Sequence, residues 1–181
     1  MKQLSLLLIA AFSLLSTFAQ NTEDNTDGRF HDDLLNNFVG KWTVSGIVHG
    51  APFKNLKLEA QWIMNHQYLQ IHEIGTDTIP WFKRPWEAMF LIGYNQNDKR
   101  YVFYEFTIRG VAEPYEGFSY ATRSGNQFKI SSKMSSDEII NQYFTWEPAS
   151  KSWHLETRLE KAGKEGDTYL DLKAIPSTSL K

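Results

Sequence analysis

The sequence predicts an all-β protein, an antiparallel up-and-down barrel of about ten strands with a short N-terminal helix plugging one end. Three observations support this prediction. In residues 41–174, short segments alternate apolar and polar side chains and are separated by turn residues, which is typical of antiparallel sheet. The connections are short and contain no helical crossover, which favours sequential strands. Closing about ten such strands into a barrel removes the free edges along which sheets aggregate.

Residues 1–19 have the three parts of a secretory signal peptide. Lys2 supplies the positive charge, residues 4–15 the apolar stretch, and residues 17–19 a cleavage site ending in alanine. The apolar stretch is too short to cross a bilayer as a helix, and no later stretch is longer, so no transmembrane segment is expected. We therefore expect a bacterial protein exported to the periplasm or the exterior.

Three further segments make up the mature chain. Residues 20–29 are polar and acidic without periodicity, which predicts a disordered leader. Residues 30–175 predict one barrel domain, and residues 176–181 a flexible tail. Within the domain, residues 30–38 place apolar side chains at helical spacing before Gly40, which predicts the plugging helix.

Ten segments with period-2 alternation follow this helix. In the second of them, Leu56, Leu58 and Ala60 alternate with polar residues, as in a strand with one buried face. The predicted strands are residues 41–48, 55–64, 67–74, 88–94, 100–109, 115–122, 127–134, 139–146, 152–160 and 168–174.

Residues 79–86 are predicted to form a loop, because Pro80 and Pro85 cannot donate to a strand ladder. The segment also carries Trp81 and Trp86. It is interpreted as a lid over the barrel mouth, as a surface for a partner or an anionic ligand, or as a rim loop folded onto the core. Exposed apolar patches usually mark a contact.

A glycine and a tryptophan carry a family resemblance. Gly40-Lys41-Trp42, preceded by a short helical turn, resembles the opening of lipocalins and related calycin barrels. Residues 91–95, 99–101 and 115–117 are similar to segments of uncharacterised exported bacterial lipocalin-like domains of unknown function. The resemblance implies that the helix plugs the barrel and that Trp42 fills its base.

The resemblance also implies that an arginine late in the barrel covers Trp42, and Arg158 is the candidate. Period-2 alternation with Glu156 and Glu160 instead predicts that Arg158 is an exposed sheet residue. The Thr-Asp-x-x-Tyr motif of true lipocalins is absent, so their transport of hydrophobic ligands does not carry over.

Polar side chains on apolar strand faces are the candidate anchors of a barrel pocket. In the third predicted strand, His72 alternates with Ile71 and Glu73. His72 and Glu105 are expected to point inward from neighbouring walls; the alternative is that both lie at half-exposed sheet positions. The predicted ligand-binding residues are Trp42, Trp62, His72, Trp81, Trp86, Tyr104, Glu105 and Phe106.

The histidines give little support for a metal or a cofactor. None of the five has the spacing of a zinc site. A single histidine can hold haem iron, as in haem-binding barrels, and His154 is the candidate for this alternative. Because Trp153 and Leu155 lie on the other face of the strand, His154 is expected to face solvent, and no cofactor is expected.

Composition and motifs narrow the function further. The chain has no cysteine, so disulfides and thiolate chemistry are excluded. A formal net charge of −2 with interspersed charges lacks the basic face that binds nucleic acid. Nucleophile elbows, phosphate loops and dinucleotide-binding motifs are absent. No feature of the sequence indicates an oligomeric state.

The sequence therefore favours an exported, non-enzymatic barrel that binds a small hydrophobic or amphipathic molecule. One alternative is a barrel enzyme that uses His72 or Glu105 as its general base. Another is an interaction protein with a solid barrel, which binds a partner through the loop around Trp81.

Overall fold

A computed structural model of the chain describes residues 28–79, 83–110, 117–134 and 137–177. Ten antiparallel strands form a closed barrel in which each strand pairs with its neighbours in sequence and the first strand pairs with the last. This confirms the predicted all-β, up-and-down barrel. The strands are β1 (Gly40–Val48), β2 (Ala51–Ile63), β3 (Tyr68–Ile79), β4 (Arg84–Asn95), β5 (Arg100–Thr107), β6 (Phe118–Ser124), β7 (Gln127–Lys133), β8 (Glu138–Glu147), β9 (Ser152–Lys161) and β10 (Lys164–Pro176).

Several sequence predictions concern residues outside these ranges. The predicted signal peptide of residues 1–19, nearly all of the predicted leader and the end of the predicted tail lie outside the described residues, as does Trp81. Among the residues that the structure describes, no helix is both long enough and apolar enough to cross a membrane.

The predicted loop over residues 79–86 is wrong at both ends. β3 continues to Ile79, and β4 begins at Arg84, so that Trp86 belongs to a strand. Pro85 is tolerated because it pairs with Thr78 close to the end of the ladder, beyond an irregularity in the register. A proline at such a position removes a single donor from the ladder's end.

One short helix, α1 (Asp33–Asn36), precedes the barrel and is shorter than predicted. The side chain of Asp32 caps it by accepting a hydrogen bond of 2.8 Å from the backbone N–H of Leu35. Leu34 and Leu35 are buried. This helix lies at the end of the barrel where β1 begins, which we call the closed end. The sequence predicted a helix at one end of the barrel.

A buried polar network fixes the helix to the barrel wall. The carboxylate of Asp32 accepts hydrogen bonds from the hydroxyl of Tyr101 on β5 and, at 3.0 Å, from Nη1 of Arg123 on β6. Arg123 also reaches Asp33 at 2.7 Å. Two strands and the start of the helix are thus held by one carboxylate.

Aromatic packing fills the space beneath the helix. The rings of Phe38 and Trp153 stack with centroids 3.7 Å apart, and Phe144 meets Phe38 edge to face. The indole of Trp153 also donates to the carbonyl of Asn37 at 3.2 Å. Packing of this kind makes the closed end solid.

Trp42 lies in this closed end, as the resemblance implied, but the prediction that Arg158 covers it is wrong. Trp42 is buried, donates to the carbonyl of Phe38 at 2.7 Å and meets Trp146 edge to face. Arg158 instead pairs with Glu156 and Glu165, at 3.0 and 3.1 Å. The outward position of Arg158 agrees with the prediction from period-2 alternation.

β1 and β10 meet at a seam that closes the barrel. Their register runs from Trp42 opposite Pro176 to Val48 opposite Leu170. At Gly46 the strands approach so closely that a Cβ atom would lie 2.1 Å from the carbonyl oxygen of Asp171. Glycine is therefore required at this position of the seam.

Candidate functional site

The barrel encloses a cavity of about 990 Å³. Its lining comes from the strand segments remote from α1, and the cavity opens at the end opposite the helix, which we call the mouth. Most of its wall is apolar, and large side chains of this wall are Phe53, Leu56, Trp86, Phe90, Phe144 and Leu155. A volume of this size is within the range of pockets that hold a small organic molecule.

Glu73 enters the cavity from β3. Strand alternation places it on the inner face together with Leu69 and Ile71, both of which are fully buried. Its Oε2 accepts a hydrogen bond of 3.0 Å from the indole Nε1 of Trp86 on β4. Gly75 lets β3 lie close to Trp86, since a Cβ atom there would lie 3.3 Å from the backbone nitrogen and the Cβ of Trp86.

The setting of Glu73 changes its acidity. Burial raises the pKa of its carboxyl to about 7, and the negative charge of Glu105 acts in the same direction. The hydrogen bond from Trp86 opposes both effects because it favours the charged form. Glu73 is therefore a carboxyl group that gains or loses its proton near neutral pH.

Glu105 enters the same cavity from β5. It lies opposite Phe90 of β4, and its Oε2 accepts a hydrogen bond of 3.3 Å from Nε2 of Gln142 on β8. Tyr169 of β10 lines the cavity as well. Burial raises the pKa of the Tyr169 hydroxyl, and the charge of Glu105 adds to that shift. Polar groups from four strands thus share the interior.

Charged side chains of both signs surround the mouth. Lys54 and Arg109 supply positive charge, and Asp77 and Asp167 supply negative charge; all four are exposed. His49 stacks on Tyr169 with ring centroids 5.1 Å apart. The described part of the mouth therefore has no excess of either charge, whereas the deeper wall carries carboxyl groups.

Two of the predicted ligand-binding residues line this cavity, Trp86 and Glu105. His72 does not, and the expectation that it points inward is wrong. It lies on the outer face of β3, where its Nε2 is 3.0 Å from Oε1 of Glu87. The strand pleat explains the difference, because Glu73, its neighbour in sequence, takes the inner face.

The expected apolar wall of Tyr104 and Phe106 lies on the outside of the barrel. Phe106 is 50% exposed, and Tyr104 packs against Phe118 with ring centroids 5.2 Å apart. Their neighbours Phe103 and Glu105 occupy the inner face of β5. The outward positions of Tyr104 and Phe106 follow from the same pleat.

Trp42 and Trp62 lie at the closed end, away from the cavity. Trp62 donates to Oδ1 of Asn36 at 2.8 Å and stacks on His66 with centroids 4.1 Å apart. Trp62 thus contacts α1 and Trp42 contacts Phe38, which follows the helix, and neither tryptophan is among the described residues that line the cavity.

The sequence reasoning missed Glu73 as a site residue. Its signal was present, because a carboxyl group alternates with Leu69 and Ile71 on an otherwise apolar strand face. The hydrogen bond between Glu73 and Trp86 could not be predicted, because the sequence pattern predicts a loop at Trp86.

The described residues contain no group of three or more histidine, aspartate and glutamate side chains arranged to hold a metal ion. His154, the candidate haem ligand, lies on the outer surface, where its Nε2 is 2.8 Å from Oδ1 of Asp171. This position does not fit a haem ligand inside the cavity.

No known protein family model matches this chain, and no curated protein resembles it significantly in sequence. The functional argument therefore starts from the cavity itself. A closed ten-stranded antiparallel barrel is consistent with a lipocalin-like fold.

Proposed function

We propose that this protein is an exported barrel that binds one small hydrophobic or amphipathic molecule. The observation that carries the proposal is the cavity of about 990 Å³, whose wall is mainly apolar and includes few polar groups. Natural ligand sites combine a large apolar surface with a small number of placed polar groups that orient the ligand. Glu73, Glu105 and Gln142 are such groups.

The architecture supports the same function. Aromatic packing and the Asp32 network make one end of the barrel solid, whereas the other end gives access to the cavity. A ligand that enters at the mouth stops above Phe38 and Phe144. The proposed export rests on the signal-like residues 1–19.

Mass spectrometry of the protein purified from its own host tests this function. The native mass is compared with the mass of the same sample after unfolding, and a bound molecule appears as a discrete difference. In parallel, the uncharged dye N-phenylnaphthylamine is titrated into the purified protein, and we expect one bound dye for each chain.

Two tryptophan substitutions show whether the dye occupies the cavity. Ile140→Trp adds bulk to the cavity wall and should abolish dye binding. Phe106→Trp adds similar bulk to the outer face, where Phe106 is half exposed, and should leave dye binding unchanged. Absence of both a retained molecule and dye binding, or equal loss in the two variants, contradicts the proposal.

Acid–base catalysis in the same cavity is the second candidate function. Glu73 favours it, because a carboxyl with a pKa of about 7 can both give and accept a proton near neutral pH. The sequence predicted His72 or Glu105 as the general base; Glu105 lines the cavity, and Glu73 takes the place of His72. Conversion of the retained molecule by the protein, abolished in Glu73→Gln, would favour catalysis over binding.

A further inference from the structure

The deep wall of the cavity carries two carboxyl groups. Glu73 projects from β3 and Glu105 from β5, and the hydrogen bonds given above reach them from neutral donors, the indole of Trp86 and the amide of Gln142. The cations among the described lining residues are Lys54 and Arg109, both exposed; the charge of Arg109 reaches Tyr169, as that of Glu105 does. The charge that acts on Glu73 is that of Glu105, so the wall around Glu73, which we call the deep wall, is the acidic part of the cavity.

A negative charge at Glu73 is unfavourable in its buried setting. Burial opposes ionisation of this carboxyl, and the charge of Glu105 opposes it further. A positively charged group close to Glu73 would reverse both effects, because an opposite charge within about 4–6 Å stabilises an ionised carboxyl. A bound cation is thus the ligand group that these two residues favour most.

Two aromatic side chains adjoin the carboxyl groups. Trp86 donates to Glu73, and Phe90 pairs with Glu105 across β4 and β5; Phe53 lines another part of the same cavity wall. The faces of aromatic rings attract cations, most strongly in the case of tryptophan. The same rings provide apolar surface for the body of a ligand. Cation recognition and apolar burial therefore converge at one site.

We propose that the ligand is an amphipathic amine, with an apolar body in the aromatic and aliphatic part of the cavity and a protonated amino group between Glu73 and Glu105. This inference rests on the small-molecule-binding function proposed above and specifies the ligand class. A carboxylate ligand is disfavoured, because its charge would face two carboxyl groups. A neutral alcohol fills the same volume but supplies no charge.

Three probes with the same apolar chain separate these ligand classes: dodecylammonium, dodecanol and dodecanoate. Their dissociation constants are measured by calorimetry on the full chain below the aggregation concentration of each probe. The measurement is made at about pH 8, above the pKa of Glu73 and below the value of about 10.4 that is typical of an alkylammonium group. We expect the ammonium probe to bind at least about tenfold more tightly than the alcohol, and the carboxylate most weakly.

Substitutions of Glu73 and Glu105 test whether the deep wall causes the preference for the ammonium probe. Glu73→Gln removes the charge but keeps an acceptor for Trp86, and it should reduce the advantage of the ammonium probe about tenfold while leaving alcohol binding unchanged. Glu105→Gln should act in the same direction. The matched control is Glu87→Gln, which removes a carboxyl from the outer face beside His72 and should change none of the three affinities.

The outcomes separate this inference from the proposed function. If the alcohol or the carboxylate binds as tightly as the ammonium probe, the amine inference is overturned while small-molecule binding stands. The inference also fails if Glu73→Gln leaves the ammonium preference intact. If none of the three probes binds while N-phenylnaphthylamine does, the amine inference is overturned and small-molecule binding stands; if neither the probes nor the dye bind, both are contradicted.

Discussion

The indole Nε1 of Trp86 donates a hydrogen bond of 3.0 Å to Oε2 of Glu73 inside the barrel. The pair joins β3 to β4 on their inner faces and places a titratable carboxyl against an aromatic ring. It links the stability of the protein to the properties of its cavity, because both depend on the protonation of Glu73.

Stability should therefore depend on pH through Glu73. Its pKa is about 7 in the folded protein against an ordinary value of 4.5, so between these values the folded state holds a proton that the unfolded chain has lost. The free energy of unfolding then falls as pH rises from about 4.5 to about 7 and stays lowered above it. Glu73→Gln should remove this fall and exceed the native protein in stability by up to about 3 kcal/mol at about pH 8.

Urea denaturation at a series of pH values measures this difference. Glu59→Gln provides the control, since its exposed carboxyl contacts Lys41 at 3.6 Å rather than a histidine, and it should leave the pH profile unchanged. A stability difference between Glu73→Gln and the native protein that is equal at about pH 4 and about pH 8 would contradict the assignment.

Removing the indole N–H should change the acidity of Glu73. In Trp86→Phe the carboxyl loses a hydrogen bond that favours its charged form, so the pKa of Glu73 should rise above its native value. Carbon NMR of the Glu73 carboxyl during a pH titration reports this directly. Trp62→Phe removes an indole donor at the closed end and should leave the Glu73 titration unchanged; an unshifted pKa in Trp86→Phe would refute the role of the bond.

The closed end should depend strongly on Asp32. Asp32→Ala removes the cap of α1 and leaves the hydroxyl of Tyr101 and the guanidinium of Arg123 without this acceptor. We expect a loss of about 2–4 kcal/mol in the free energy of unfolding. Asp33→Ala removes an exposed carboxyl that also contacts Arg123 and should lose less than about 1 kcal/mol. Equal losses in urea denaturation would show that the buried network is not what stabilises this end.

Gly46→Ala should disrupt the seam of the barrel. The added Cβ would collide with the backbone of β10, where the carbonyl oxygen of Asp171 lies 2.1 Å away, and a carbonyl cannot rotate aside as a side chain does. We expect a loss of about 3 kcal/mol or more. Ser45→Ala, at an exposed neighbouring position, should change the melting temperature little. A native-like melting temperature for Gly46→Ala would mean that the strands separate there without penalty.

Much of the barrel could be predicted from the period-2 pattern, because the pleat forces alternate side chains into a core. The outward position of Arg158 and the inward position of Glu105 follow from that rule. The assignment of His72 failed because a one-residue difference inverts the face of a strand residue. The sequence shows alternation without showing which of two neighbouring polar residues, His72 or Glu73, faces inward.

The loop prediction failed for a different reason. The rule that proline is excluded from central strands does not apply to Pro85, which lies close to the end of a ladder, where one missing donor is tolerated. Assigning Trp86 to that loop separated it from Glu73, and the pair in the cavity could not be recognised. Contacts between neighbouring strands depend on register, which the sequence pattern alone does not specify here.

The seam between β1 and β10 has a consequence for how the chain acquires its structure. Thr43 pairs with Ile175, so residues close to the two ends of the described chain must meet before the barrel is complete. Contacts of such high sequence separation slow folding, because loop entropy is lost before the contact forms. The barrel therefore cannot close during synthesis until the ribosome has released β10. Until then, the unpaired edge of β1 is exposed to other chains.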